Sequence, residues 1–357
     1  MSLPILRFPH LIQKEILRSM DPFSVVVLSI ISKRMKRALD AYKYRIDKWR
    51  WIGTDLFSLS VRGEIMNIEI LPTKRKLEPG IIPFELNGEK FVVRIEKPDI
   101  DDDFDTLLFV TFPKISRTRK SKVRVNELIS RHLYSFVQPV STDLHWEDPK
   151  VSADNLFVFD MTKKFDYMSL NSGYHVPFLV SPETAKMLME DVTAEKMDLQ
   201  IKTEKVKYEF PQNQGSKIKE LNLFRTDFIQ SNNFVRNLNH PHVKFLFPSI
   251  KKWNKILKEW VNEDNNVIEH LMLFRQSMAF FLQASVLAGI PHRETRFKRN
   301  QLKSLVGEEK FNEEMMQSYD IRRISDSREA TLVFSENSVT LHVWTDAQKA
   351  KIRNIHD

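Results

Sequence analysis

The chain has 357 residues, of which 42% are hydrophobic and 29% charged, and its formal net charge is +8. The length predicts about two domains with a substantial core. The absence of cysteine excludes disulfides, thiol nucleophiles and cysteine–zinc sites. The longest apolar runs, Phe23–Ile31 and Met278–Ile290, are too short to cross a bilayer, so we expect no membrane partner and a location in the cytoplasm or the nucleus.

Three short helices are predicted near the N-terminus. The first has an apolar stripe at helical spacing, made of Leu11, Ile12, Ile16, Leu17 and Met20. Asp21-Pro22 predicts the start of the second helix, because aspartate caps helices and proline is tolerated in the first turn. Ser32 caps the third, whose apolar positions are Met35, Ala38, Leu39, Tyr42 and Ile46. About forty residues with so much apolar surface cannot bury it alone, which predicts an interface.

This segment resembles an F-box, and more narrowly the nematode F-box family whose members carry a type 2 F-box-associated domain. The resemblance rests on Phe8-Pro9, Met20-Asp21-Pro22, Leu28-Ser29 and Ser32-Lys33-Arg34. It implies a three-helix domain over residues 4–48 that binds a Skp-type adaptor and, through it, a cullin. The implied adaptor-facing residues are Phe8, Pro9, Leu11, Ile12, Ile16, Leu17, Leu28, Ile31, Ser32, Lys33 and Met35.

Short alternating runs between residues 49 and 112 predict a small antiparallel β layer. The predicted strands are Leu56–Val61, Ile65–Ile70, Phe91–Ile95 and Leu107–Thr111. Asn87-Gly88 between two apolar runs predicts a hairpin. A helix is predicted over residues 123–137.

A basic run, Lys114–Arg124, precedes that helix and offers an alternative function. Its lysines and arginines could contact the phosphates of a nucleic acid. It contains no aromatic residue on which bases could stack. A solvated surface is therefore the favoured interpretation, and nucleic-acid binding is the alternative.

Strand-like runs recur about 22 to 28 residues apart between residues 150 and 290, separated by predicted helices at Pro182–Asp191 and Ile250–Val261. The runs begin at Met197, Leu221, Val243 and Leu271. This spacing predicts irregular leucine-rich-repeat-like strand–helix units. Residues that alternate with the buried positions are the candidates for binding a target protein, namely Asp198, Gln200, Asn222, Lys244 and Met272.

The C-terminal residues 317–345 predict paired strands, the last two joined by a turn at Ser335–Ser338. The residues Asp320-Ile-Arg-Arg323, Ala330-Thr331 and Val343-Trp344 resemble the close of a type 2 F-box-associated domain, which would span residues 49–345. The predicted fold class is α+β: a small three-helix F-box, then a mixed α/β domain with a short antiparallel layer and the repeat-like units.

No catalytic motif is recognisable in the sequence. It lacks a glycine-rich phosphate loop, a nucleophile elbow and a zinc-protease motif. His240-Pro-His242 has metal-ligand spacing, but no further ligands accompany it. We expect no enzyme activity, no cofactor and no metal. The resemblance implies the substrate-recognition adaptor of a Skp–cullin–F-box ubiquitin ligase, with an unknown protein as its target.

Overall fold

The computed structural model describes residues 5–72, 81–86, 89–96, 106–112, 119–173, 176–204, 206–211, 216–225, 228–229, 235, 238–246, 250–263, 267–274, 283–298, 300–302, 315–335, 338–346 and 348. The chain forms two compact units, Met1–Tyr174 and His175–Asp357. Each unit combines β-strands with α-helices. Among the described residues, every helix is too short or too polar to cross a bilayer.

The first unit begins with three helices that lead directly into a sheet. Its helices are α1 (His10–Ser19), α2 (Pro22–Ile31), α3 (Lys33–Tyr42), α4 (Arg119–Tyr134) and α5 (Val158–Met161), with short 3-10 turns at Ile5–Arg7 and Ala153–Asn155. Its strands are β1 (Tyr44–Ile52), β2 (Leu56–Val61), β3 (Glu64–Pro72), β4 (Ile81–Leu86), β5 (Glu89–Glu96), β6 (Thr106–Phe112), β7 (Val137–Trp146) and β8 (Lys164–Leu170). In the sheet they follow the order β8-β7-β1-β2-β3-β6-β5-β4.

This sheet is large, and the prediction of a short antiparallel layer is wrong. The predicted strands between residues 49 and 112 are present, and β4 and β5 pair as the expected antiparallel hairpin, although Asn87 and Gly88 lie outside the described residues. However, β3 and β6 are parallel, and β1 is parallel to β7. Parallel partners need a long crossover connection, so the pattern of one local segment could not show them.

Helix α4 covers one face of this sheet through aromatic contacts. Trp49 and Trp51 of β1 are both fully buried. The indole N–H of Trp51 donates to the Ser130 hydroxyl at 3.1 Å, and the Tyr134 ring lies edge-on to Trp49 with centroids 5.3 Å apart. The helix predicted over residues 123–137 is therefore present and its apolar stripe faces the sheet, but it ends at Tyr134 and strand β7 begins at Val137.

The third helix ends earlier than its apolar pattern predicted. Lys43 adopts a left-handed conformation with φ of 52°, and strand β1 starts at the next residue. Ile46, predicted on the helix, is a buried residue of β1. A left-handed residue terminates a helix, and lysine gives no sequence signal for this conformation as glycine would.

The second unit contains a second set of strands. Its helices are α6 (Pro182–Glu190), α7 (Ile250–Asn262) and α8 (Gln283–Leu287). Its strands are β9 (Phe178–Val180), β10 (Thr193–Leu199), β11 (Ile201–Thr203), β12 (Ile218–Leu223), β13 (His242–Leu246), β14 (His270–Phe274), β15 (His292–Glu294), β16 (Met315–Arg322), β17 (Glu329–Ser335) and β18 (Ser338–Val343). They follow the order β15-β16-β17-β18-β14-β13-β12-β10, and β9 and β11 pair separately.

The four predicted recurring strands are neighbours in this unit and run parallel. Strand β10 pairs with β12, β12 with β13, and β13 with β14. Each buries alternate residues, such as Leu221 and Leu223 of β12. The amphipathic helix α7 buries Trp253, Leu257 and Trp260. The mixed α/β organisation is confirmed, while the likeness to leucine-rich repeats stays a prediction.

The C-terminal motif of the second unit forms one buried hydrogen-bond network. Strands β16, β17 and β18 are antiparallel neighbours. The Trp344 indole donates to the Thr331 hydroxyl at 3.0 Å, and that hydroxyl donates to Asp320 at 2.7 Å. Thr295 also donates to Asp320, at 2.8 Å. The residues that resemble a family motif thus fix the packing of these strands.

Replacing Thr331 with valine tests this network. The change preserves side-chain shape but leaves the indole of Trp344 without this acceptor and Asp320 without one donor. We expect a loss of about 1 to 2 kcal/mol in the free energy of unfolding, measured by urea denaturation. The matched change Thr193→Val at a half-buried strand start should cost less, and an equal cost would contradict the network's role.

Candidate functional site

Helix α1 leaves apolar side chains open to solvent. Leu11 is 70% exposed and Ile12 is 45% exposed, whereas Leu17 on another side of the helix is 2% exposed. The helix therefore has one side packed inside its unit, and its uncovered residues include two adjacent apolar side chains near its start. These two adjacent side chains are the part of the helix that an apolar surface of a partner protein could cover.

Capping residues fix where helices α2 and α3 begin. Asp21 accepts hydrogen bonds from the N–H of Ser24 at 2.8 Å and from its hydroxyl at 2.6 Å. Partial burial alone would raise the pKa of Asp21, and these hydrogen bonds outweigh it and lower the pKa. The Ser32 hydroxyl accepts from the N–H of Met35 at 3.2 Å. Both caps satisfy N–H groups that have no partner within the helix.

Polar contacts attach the three helices to the rest of the first unit. The Tyr44 hydroxyl donates to the carbonyl of Met20 at 3.1 Å. On α4, the Nε2 atom of His132 lies 3.3 Å from the Ser29 hydroxyl of α2. Burial, reinforced by the charge of Lys36, lowers the pKa of His132 to about 4. Helix α2 is therefore in contact with a neutral, partly desolvated histidine of α4.

The sequence comparisons agree with this geometry. Residues 5–46 match the family model of the F-box domain. No match was found among curated proteins or among solved structures. F-box domains generally bind Skp-type adaptors and through them a cullin, so this domain supports a role in substrate recognition by a Skp–cullin–F-box ubiquitin ligase.

The structure places the predicted adaptor-facing residues of the F-box in three environments. Pro9, Leu11, Ile12 and Lys33 are exposed; Phe8, Ile16, Leu28 and Ser32 are half-buried; Leu17 and Met35 are buried. The side chain of Ile31 lies outside the described residues. The exposed group supplies the accessible surface, while Leu17, Met35 and the capping Ser32 support the helices from within.

The second unit brings four of the five predicted target-binding residues into one row. Asp198, Asn222, Lys244 and Met272 are paired in register across β10, β12, β13 and β14. The Asn222 amide donates to the Asp198 carboxylate at 2.7 Å, and the Lys244 ammonium lies 5.3 Å from the Phe274 ring centroid. Gln200 follows β10 and is buried, as is Asn222, so Asp198, Lys244 and Met272 are the accessible members.

A second row on the same side of these strands is absent from the sequence prediction. Lys196, Glu220, His242, His270 and His342 are paired in register across five neighbouring strands. The rings of His270 and His342 lie 4.7 Å apart, and Lys196 forms an ion pair with Glu220 at 3.5 Å. Lys196, Glu220, His242 and His270 each precede a predicted candidate by two residues, the spacing that places both side chains on one side of a strand, and this was the available signal. We call the two rows together the polar face.

His240 and His242 lie in different environments. His242 lies on the polar face, whereas His240 is 1% exposed and its ring lies edge-on to Phe210. Burial lowers the pKa of His240 to about 4. Within the part of the chain that the structure describes, no group of three or more histidine, aspartate or glutamate residues is arranged to hold a metal ion.

The basic run falls partly outside the described residues, which begin again at Arg119. Lys122 on α4 forms an ion pair with Asp55, and Arg124 is exposed. Lys122 is thus engaged within its own unit. No observation in the described part of this run favours nucleic-acid binding.

Proposed function

We propose that this protein is a substrate-recognition adaptor of a Skp–cullin–F-box ubiquitin ligase. The observation that carries the proposal is the match of residues 5–46 to the F-box domain together with the open apolar side of α1. The chain itself performs no bond chemistry in this proposal. It raises the effective concentration of a target lysine near the conjugating enzyme by holding both on one assembly, in the cytoplasm or the nucleus.

The adaptor would dock on the exposed part of the F-box. Leu11 and Ile12 offer the apolar centre of the contact, and Lys33 at the start of α3 adds an exposed cation at its edge. Burial of exposed apolar side chains in the centre of an interface supplies most of its binding energy, while charged residues at the rim set orientation and rate.

The target protein would bind the polar face of the second unit. This face presents a cation at Lys244, an acid at Asp198 and an adaptable apolar side chain at Met272, all on rigid strands. Because the strands already fix the backbone at these positions, binding would order only the side chains. We also assign residues 49–345 to a type 2 F-box-associated domain of the nematode family, on the strength of the motif that ends at Trp344.

Direct binding of the purified full chain to a purified Skp-type adaptor tests the proposal. Isothermal titration calorimetry should give a 1:1 complex with a dissociation constant below about 1 μM. A cullin added afterwards should join the complex only when the adaptor is present. Absence of any adaptor complex at about 50 μM of each protein would refute the proposed function.

A further inference from the structure

A cleft of about 510 Å³ lies beside the F-box, at the junction of α1, the end of α3 and the start of β1. Its volume is that of a typical small-molecule site. Leu17, Leu39 and Val61 contribute an apolar floor. The cleft lies entirely within the first unit, and it is lined by a different side of α1 from the one that carries Ile12.

The lining is strongly cationic. Lys14, Arg18, Lys43, Arg45 and Arg62 line the cleft, and Asp47 is the single carboxylate among the described lining residues. Asp47 accepts the backbone N–H of Arg62, and Arg18 pairs with exposed Glu15. Neither Lys14 nor Arg45 has an ion-pair partner among the described residues. Several uncompensated like charges in a concave site create a positive potential that attracts anions.

The backbone at the cleft is held in an uncommon conformation. Lys43 and Arg62 have φ values of 52° and 54°, and the described residues contain one other non-glycine residue with positive φ. Each of these two side chains donates a hydrogen bond to a backbone carbonyl. Lys43 Nζ donates to the Ser135 carbonyl at 2.5 Å, and Arg62 Nη2 donates to the Arg18 carbonyl at 2.6 Å. Lys43 ends helix α3, and Arg62 lies in the two-residue turn between β2 and β3, so the fold itself fixes the positions of these two cations at the cleft.

We propose that this cleft binds a ligand bearing phosphate groups. Phosphate oxygens accept several charge-assisted hydrogen bonds at once, and arginine and lysine are their usual partners. Lys14 would approach the ligand from α1, and Arg45 and Arg62 would approach it from the sheet. Such a ligand would connect α1 to the sheet and so stabilise the F-box in its position on the first unit.

Calorimetric titration of the full chain with inorganic pyrophosphate, and separately with a short phosphoserine peptide, tests the proposal. We expect saturable binding of one or both probes with a dissociation constant below about 100 μM at low salt, weakening as salt is added. Binding of the peptide alone would identify a phosphorylated protein as the source of the phosphate, and binding of both would show that the phosphate group suffices. The unphosphorylated peptide should not bind.

A matched pair of double variants locates the binding. Lys14→Ala with Arg45→Ala should weaken binding ten- to thirtyfold, because two phosphate contacts are lost. Lys150→Ala with Lys164→Ala changes the net charge equally at exposed sites of the same unit and should have less than a twofold effect. Equal weakening by both pairs, or no saturable binding of either phosphorylated probe at about 10 mM, would overturn the proposal. Neither measurement involves the adaptor, so its outcome is independent of the proposed ligase function.

Discussion

Replacing Leu11 with aspartate is expected to weaken binding of the Skp-type adaptor at least a hundredfold, which corresponds to about 3 kcal/mol. Leu11 is 70% exposed in the free chain, so the charge costs little before binding. In the complex the carboxylate would be removed from water without a partner, and an uncompensated buried charge is strongly unfavourable. The measurement is the dissociation constant of the full-length variant by calorimetry.

The choice of residue makes this result interpretable. Ile16 on the same helix is half-buried and Leu17 is 2% exposed, so a charge at either position would also disturb the fold. Val140→Asp is the matched control, because Val140 is 61% exposed in the first unit but lies on β7, outside the F-box. The control should retain wild-type affinity. Wild-type affinity in Leu11→Asp would show that this side of α1 does not face the adaptor.

The helices of the F-box were predictable because their determinants are local. Asp21, Pro22 and Ser32 specify helix starts through neighbours within three residues. The sequence did not predict which side of each helix faces the rest of the unit. An apolar stripe shows that a helix face is covered, but it does not show whether the same chain or a partner protein covers it. Leu17 and Met35 resemble interface residues in the sequence, yet the unit itself buries them.

In the sheets, the sequence predicted which side of a strand a residue lies on but not its partners on other strands. Period-two alternation placed Asp198, Asn222, Lys244 and Met272 on one side of their strands, and the registers align them. Asn222 is buried and its amide donates to Asp198 on the neighbouring strand, a pairing that the alternation within one strand does not show. The parallel partner of β1 lies about ninety residues further along the chain, beyond the reach of any local pattern.

Half-buried His132 and buried His240 should make the protein sensitive to mild acid. Burial lowers the pKa values of His132 and His240 to about 4, while the unfolded chain titrates near pH 6.5. Above pH 6.5 both states are neutral and the histidines add no pH dependence. Between pH 6.5 and pH 4 the unfolded state binds more protons, so stability falls with falling pH. At pH 4.5 each histidine should cost its unit about 2 to 3 kcal/mol relative to pH 7.

Neutral replacements assign this acid sensitivity to each unit separately. His132→Gln keeps an amide near the Ser29 hydroxyl, and His240→Leu suits the apolar surroundings that include Phe210. Each change should reduce the difference in the free energy of unfolding between pH 7 and pH 4.5 by about 2 to 3 kcal/mol in its own unit. The measurement is hydrogen exchange at increasing urea concentration, followed for peptides of each unit and corrected for the intrinsic exchange rate at each pH. His10→Gln and His292→Gln, at exposed positions, are the controls. If the pH dependence of α2 and α4 persists in His132→Gln, protonation of His132 beside Ser29 is not its source.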